Sequence, residues 1–183
     1  MDALTARTET KESVRTSERF VGIVKNRLFY VSLVIFSGAF FYFLAGIHRE
    51  VNIYDEGVVV YGAERVLRGD TPYRDFWTIY SPGQFYTLAA VLKLFGSFVL
   101  VERVWDLFVR SLLGLAIFFV GFKLTGFKPA VLCWLVATFW LGYIGYYNYP
   151  LFPAMLFSLA SLLFIMNYFF KPDAVPHLRF GQV

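Results

Sequence analysis

The stretch from Leu28 to Ile47 carries no charged side chain. At 1.5 Å per residue, a helix of about 20 residues crosses the roughly 30 Å hydrocarbon core of a bilayer. Leu151 to Phe170 is a second such run, and Pro129 to Tyr147 is a slightly shorter third. Inside hydrocarbon every backbone N–H and C=O must find its partner within the protein, so runs of this kind fold as membrane helices. They set the expected class: an all-α, multi-pass transmembrane helical bundle. Composition agrees, since 58% of the residues are hydrophobic and only 16% charged, against about 25% charged in ordinary soluble domains.

The same numbers narrow the functional classes. A net charge of +4 spread along the chain is too weak for a nucleic-acid surface, and its cations read instead as topology signals. The single cysteine, Cys133, lies in an apolar run and gives no disulfide framework. His48 and His177 are too far apart in sequence to suggest a metal site. The polar segment 1–27 is not expected to be a cleavable leader, because the apolar run behind it is longer than a signal-peptide core.

Arg7, Lys11, Arg15, Arg19, Lys25 and Arg27 precede the first run. Positive-inside bias therefore predicts a disordered cytoplasmic tail over 1–27 and an outer loop beginning at residue 48. Four spans are expected, at about 28–47, 103–122, 129–147 and 151–170. The outer loop covers 48–102, and a short cytoplasmic end covers 171–183. Lys123 and Lys128 then fall inside, and Tyr143, Tyr146, Tyr147 and Tyr149 form an aromatic belt outside. The expected location is the plasma (inner) membrane, with the loop outside.

Two interfacial helices are predicted within the loop. Asp55 to about Arg68 places Val59, Ala63, Val66 and Leu67 on one face, and Gly69 followed by Pro72 ends it. Ser81-Pro82-Gly83-Gln84 reads as N-cap, proline at N1 and a capping-box glutamine, opening a helix that runs to Phe95. That helix is too short to cross, and crossing would put Lys123, Lys128, Lys171 and Arg179 outside.

Charges at membrane depth are costly and face a bundle interior or a watery cavity. Arg103, Asp106 and Arg110 share one helical face, with Glu102 beside them. Asp106 with Arg110 fits an i, i+4 ion pair, and a basic wall for an anionic ligand fits equally well. Arg103 has no obvious local partner, which favours ligand binding there. Asp55 and Glu56 suit a helix N-terminus, and Asp70 and Asp75 suit turns around Pro72. A carboxylate pair at a membrane surface near arginines is also what a general base needs.

The stretches Tyr54-Asp55-Glu56-Gly57, Ala63 through Phe76, Ser81-Pro82-Gly83, and Leu94-Phe95-Gly96 followed by Arg103 together resemble the first outer loop of GT-C superfamily membrane glycosyltransferases. That superfamily includes the protein O-mannosyltransferases of glycosyltransferase family 39 and the aminoarabinose transferases. The likeness covers about residues 28–126. It departs from the family where Ser81-Pro82 replaces a pair of prolines, and in the additional Arg110. It implies an inverting enzyme that takes sugar from a polyprenyl-phosphate donor at the outer face. By position Asp55, with Glu56 beside it, would be catalytic and Arg103 would meet the lipid phosphate; Arg110, Arg74 and Asp75 are further candidates for substrate binding from the residues themselves. The family's catalytic module has more spans than four, so the resemblance implies an N-terminal part of that module. Whether a divalent ion assists stays open: Asp55, Glu56 and Asp75 could supply its oxygen ligands, with the metal-free reading favoured.

Two other readings stay open: a non-catalytic remnant or accessory subunit that binds lipid or a partner, and a small transporter with Asp106 and Arg110 lining a path. The expected partners are the polyprenyl-phosphate-linked sugar, membrane lipid and an acceptor of unknown type. The topology is directly testable. A single cysteine at position 123 or 128, in a Cys133→Ala background, should be shielded from an impermeant reagent added outside; labelling from outside would overturn the four-span arrangement.

Overall fold

The computed structural model describes residues 27–47, 55–144 and 150–169. Within them the chain is all-helical, in six helices: α1 Arg27–Leu44, α2 Asp55–Leu67, α3 Pro82–Phe95, α4 Val99–Thr125, α5 Phe127–Tyr143 and α6 Leu151–Phe169. Three of them, α1, α4 and α6, are long and apolar enough to cross a membrane. At 17 residues α5 is shorter, about 25 Å at helical rise. Arg27, placed in the tail by sequence, opens α1; residues 1–26, the C-terminal end and three of the four belt tyrosines lie outside the described residues, and Tyr143 is exposed.

α2 and α3 fall where sequence signals place them. Gly69 has φ 100°, the left-handed conformation that glycine adopts without steric penalty. Around it, the Gly69 N–H donates to the Val66 carbonyl and the Asp70 N–H to the Arg65 carbonyl, both at 3.0 Å. This pair of bonds is a Schellman motif, and it satisfies carbonyls that the end of α2 leaves open. Ser81 has the extended conformation of an N-cap with Pro82 behind it, but its side chain makes no capping bond. The expected capping box therefore does not form: Gln84 is buried instead. Leu67 differs too, being 40% exposed, whereas Val59 and Ala63 are buried.

α4 begins four residues before the expected Arg103 and extends beyond Phe122. Arg103, Asp106 and Arg110 therefore lie within the helix, with Glu102 in its first turn. It is the hub of the bundle. Leu107, Val109 and Leu113 pack with Ala39, Phe43 and Ile47 from the α1 segment, Leu141 from α5 and Phe152 from α6. Toward its other end Phe118 meets Ile35 and Ala130. Between membrane helices, lipid tails are as apolar as leucine, so close packing and polar contacts do the work of association. A Cβ on Gly121 would sit 3.2 Å from the Ala130 Cα, and one on Gly38 3.3 Å from the Trp134 ring. α2 and α3 form a separate small core of Val59, Ala63, Leu88, Ala89 and Leu92, sealed by Val101 and Trp105 of α4. Gly62 permits this approach, since a Cβ there would come within 2.7 Å of the Phe85 ring.

Candidate functional site

One face of α4 carries four buried ionisable residues: Glu102, Arg103, Asp106 and Arg110. Arg103 Nε donates to Glu56 Oε1 at 2.8 Å and Nη2 to Glu56 Oε2 at 3.0 Å. This is the bidentate fork that gives arginine–carboxylate pairs both strength and direction. The remaining nitrogen, Nη1, donates to the Ile47 carbonyl at 2.6 Å. Arg103 thus joins α4 to α2 and to the turn that ends α1, and the ligand-binding role favoured for want of a local partner gives way to an ion pair with Glu56. The partner lies 47 residues away in sequence, beyond the reach of helical spacing.

Arg110 repeats the arrangement two turns further on. Its Nε lies 2.7 Å from Asp106 Oδ2, the i, i+4 pair anticipated from sequence. Its Nη1 donates to the Leu141 carbonyl in the last turn of α5 at 2.5 Å. The guanidinium also sits 4.3 Å from the centre of the Phe152 ring of α6, within cation–π range. Both residues of the pair are fully buried, so Arg110 faces the bundle interior and ties α4 to α5 and α6.

Asp55 and Glu56, adjacent in sequence, are divided by the first turn of α2. Glu56 is buried at 1% exposure on Arg103. Asp55 is half-buried, and its Oδ1 accepts a hydrogen bond from the Tyr80 hydroxyl at 3.2 Å. The loop that supplies Tyr80 is fastened to α2. Arg65 Nε meets Asp70 Oδ2 at 2.6 Å, its Nη2 donates to the Asp75 carbonyl at 2.9 Å, and its guanidinium lies 4.7 Å from the Phe76 ring centre. Asp70 is therefore an ion-pair partner as well as a turn residue.

Asp75 closes the turn, accepting the Thr71 N–H at 2.7 Å. Arg74 bonds the same carboxylate, with Nη2 at 2.8 Å. These donors, Arg74 first and the Thr71 amide second, hold the Asp75 carboxyl down at about 2. The same bond raises the already high value of Arg74. Both stay charged at neutral pH, and the Arg74 side chain remains 71% exposed.

A groove of about 480 Å³ runs between α1, α3 and α4, lined by Phe40, Val91, Phe95, Val104, Trp105 and Phe108 among others. Arg103 is not among its lining residues, and Val101, Trp105 and Phe108 lie on the opposite side of α4 from it at 100° per residue. Among the described residues, no three His, Cys, Asp or Glu side chains converge as a metal ion would need. Sequence reasoning missed Tyr80, Arg65 and the groove. Tyr80 carried a faint signal as an aromatic directly before the Ser81-Pro82 helix start. Comparison with known family models, curated proteins and solved structures finds no match.

The Glu56–Arg103 pair yields a stability test. Removing one member leaves a buried, unpaired charge, at a cost of about 3–5 kcal/mol, whereas an apolar pair of similar volume is often tolerated. Arg103→Leu alone should lower the thermal midpoint in detergent more than Glu56→Leu/Arg103→Leu together. A double variant at least as unstable as the sum of the singles would show that the two residues act independently.

Proposed function

We propose that this chain is a membrane glycosyltransferase, or the N-terminal part of one, that moves a sugar from a polyprenyl-phosphate donor to an acceptor at the outer face. The reading carries four spans, with α5 as the third, and α2 and α3 at the outer interface. The observation that carries it is the division of labour between Asp55 and Glu56. Glu56 is committed to Arg103 deep in the bundle, which fixes the first turn of α2. Asp55 is the carboxylate that stays half-buried at the rim, with a hydroxyl donor set against it. A base held rigidly yet within reach of an acceptor is what proton abstraction in a transfer reaction requires.

In this mechanism the Asp55 carboxylate takes the proton from an acceptor hydroxyl as that oxygen attacks the anomeric carbon. The bond from that carbon to the phosphate oxygen breaks, and its electron pair leaves with the lipid phosphate. The configuration is inverted. Exposed Arg74 is the candidate cation for the departing phosphate, while Arg103 and Arg110, engaged with Glu56 and Asp106, keep the scaffold in place. The groove between α1, α3 and α4 suits an isoprenoid tail by its apolar lining.

Asp55→Asn tests the reading. Asparagine keeps the shape and much of the helix-capping ability but cannot take the proton. Transfer measured as donor consumption in membranes should fall about 10²–10⁴-fold at matched expression. Asp70→Asn, which loosens only the Arg65 contact, should fall far less. Equal rates for wild type and Asp55→Asn would reduce Asp55 to a helix cap, and no transfer by the wild-type chain would favour a non-catalytic role.

A further inference from the structure

An aspartate at a helix N-terminus is ordinarily satisfied by the backbone amides of its own first turn. It does not need a phenol brought in from 25 residues away. Yet the Tyr80 hydroxyl donates to Asp55 Oδ1, and the loop holds Tyr80 at several points. The Tyr80 N–H donates to Thr78 Oγ1 at 3.1 Å, and Thr78 is itself buried. The Tyr80 carbonyl accepts the Tyr73 hydroxyl at 2.8 Å. Tyr73 has φ 69°, in the left-handed region that bulky side chains rarely occupy and that tends to mark functional loops. Its N–H donates to the Phe76 carbonyl at 2.9 Å. Arg65 then binds the turn back to the same helix whose first residue is Asp55.

The chemical consequence concerns the terminal torsion of the aspartate. Rotation of a carboxyl group about that bond is soft, with broad two-fold wells. A hydroxyl donor on one oxygen selects an orientation and with it the oxygen presented to an incoming acceptor. At 3.2 Å the bond is long for an O–H···O contact, as catalytic hydrogen bonds often are before substrate arrives.

We propose that Tyr80 is the positioning residue of the Asp55 site, and that Tyr73 acts through it by fixing the Tyr80 backbone. This inference rests on the reading of Asp55 as the base. Tyr80 touches the base and not the sugar, so its loss acts on turnover and leaves acceptor binding nearly unchanged.

The test uses the full chain in membranes, with the amount of folded protein set by monodisperse elution. Tyr80→Phe removes one hydroxyl and should lower kcat about tenfold or more, with acceptor KM little altered. Tyr73→Phe should lower kcat less. The double variant should be no slower than Tyr80→Phe alone, because the two lie on one line of action. Wild-type kcat in Tyr80→Phe, with Asp55→Asn impaired, overturns the positioning role and leaves the base intact. Losses that multiply in the double variant, or that fall on KM alone, overturn it as well. Should Tyr80→Phe fail to fold, Tyr73→Phe carries the test, since it leaves all of Tyr80 in place; unchanged kcat there overturns the proposal. Full transfer by Asp55→Asn, or none by wild type, removes the base itself and the inference with it.

Discussion

Two arginines on one face of α4 supply hydrogen-bond donors to carbonyls at the ends of neighbouring helices. The last carbonyls of a helix have no partner within it, and where they are buried no water replaces one. Arg103 donates to the Ile47 carbonyl just past α1, and Arg110 to the Leu141 carbonyl in the last turn of α5. Each also has a carboxylate at its side, Glu56 for Arg103 and Asp106 for Arg110. A positive group at a helix C-terminus is favourable on dipole grounds as well. α4 therefore works as a post with two cross-ties, one toward α1 and α2, the other toward α5 and α6.

The rest of the arrangement follows from these ties. The first holds the start of α2 by Glu56, which leaves the neighbouring Asp55 at the rim. The α2–α3 unit then closes on its own small core, with Gly62 making room for Phe85. The loop between them is drawn back to α2 by Arg65. Removing one buried partner is costly because the remaining charge cannot be solvated. The ties thus specify an arrangement of helices that packing among apolar side chains alone leaves open.

Much of the local structure was legible in sequence because its causes are local. Gly69 and Pro72 announced the end of α2, Pro82 announced the start of α3, and the i, i+4 spacing of Asp106 and Arg110 offered their pair as one of two equal readings. Glu56 was harder to read, because an acidic residue in a first helical turn already has a sufficient dipole explanation. Its true partner, Arg103, is joined to it only by the fold. The start of α4 was set too late for a related reason: Arg103 looked like a boundary, whereas burial and pairing let it sit inside the helix. Tyr80 on Asp55 and Arg65 on Asp75 are also long in sequence and invisible to periodicity. The functional reading drew on a loop pattern, and the structure adds to it the separation of Asp55 from Glu56.

Hydrogen–deuterium exchange on single-arginine variants tests the cross-tie account most directly, since exchange reports local opening segment by segment. Arg110→Met should raise exchange near Leu141 and Phe152 while the first turn of α2 stays protected. Arg103→Met should do the reverse, loosening α2 around Glu56 and sparing the α5–α6 contacts. Uniform deprotection of all helices in both variants, or protection unchanged in either, would contradict the claim that these two side chains tie separate pairs of elements to α4.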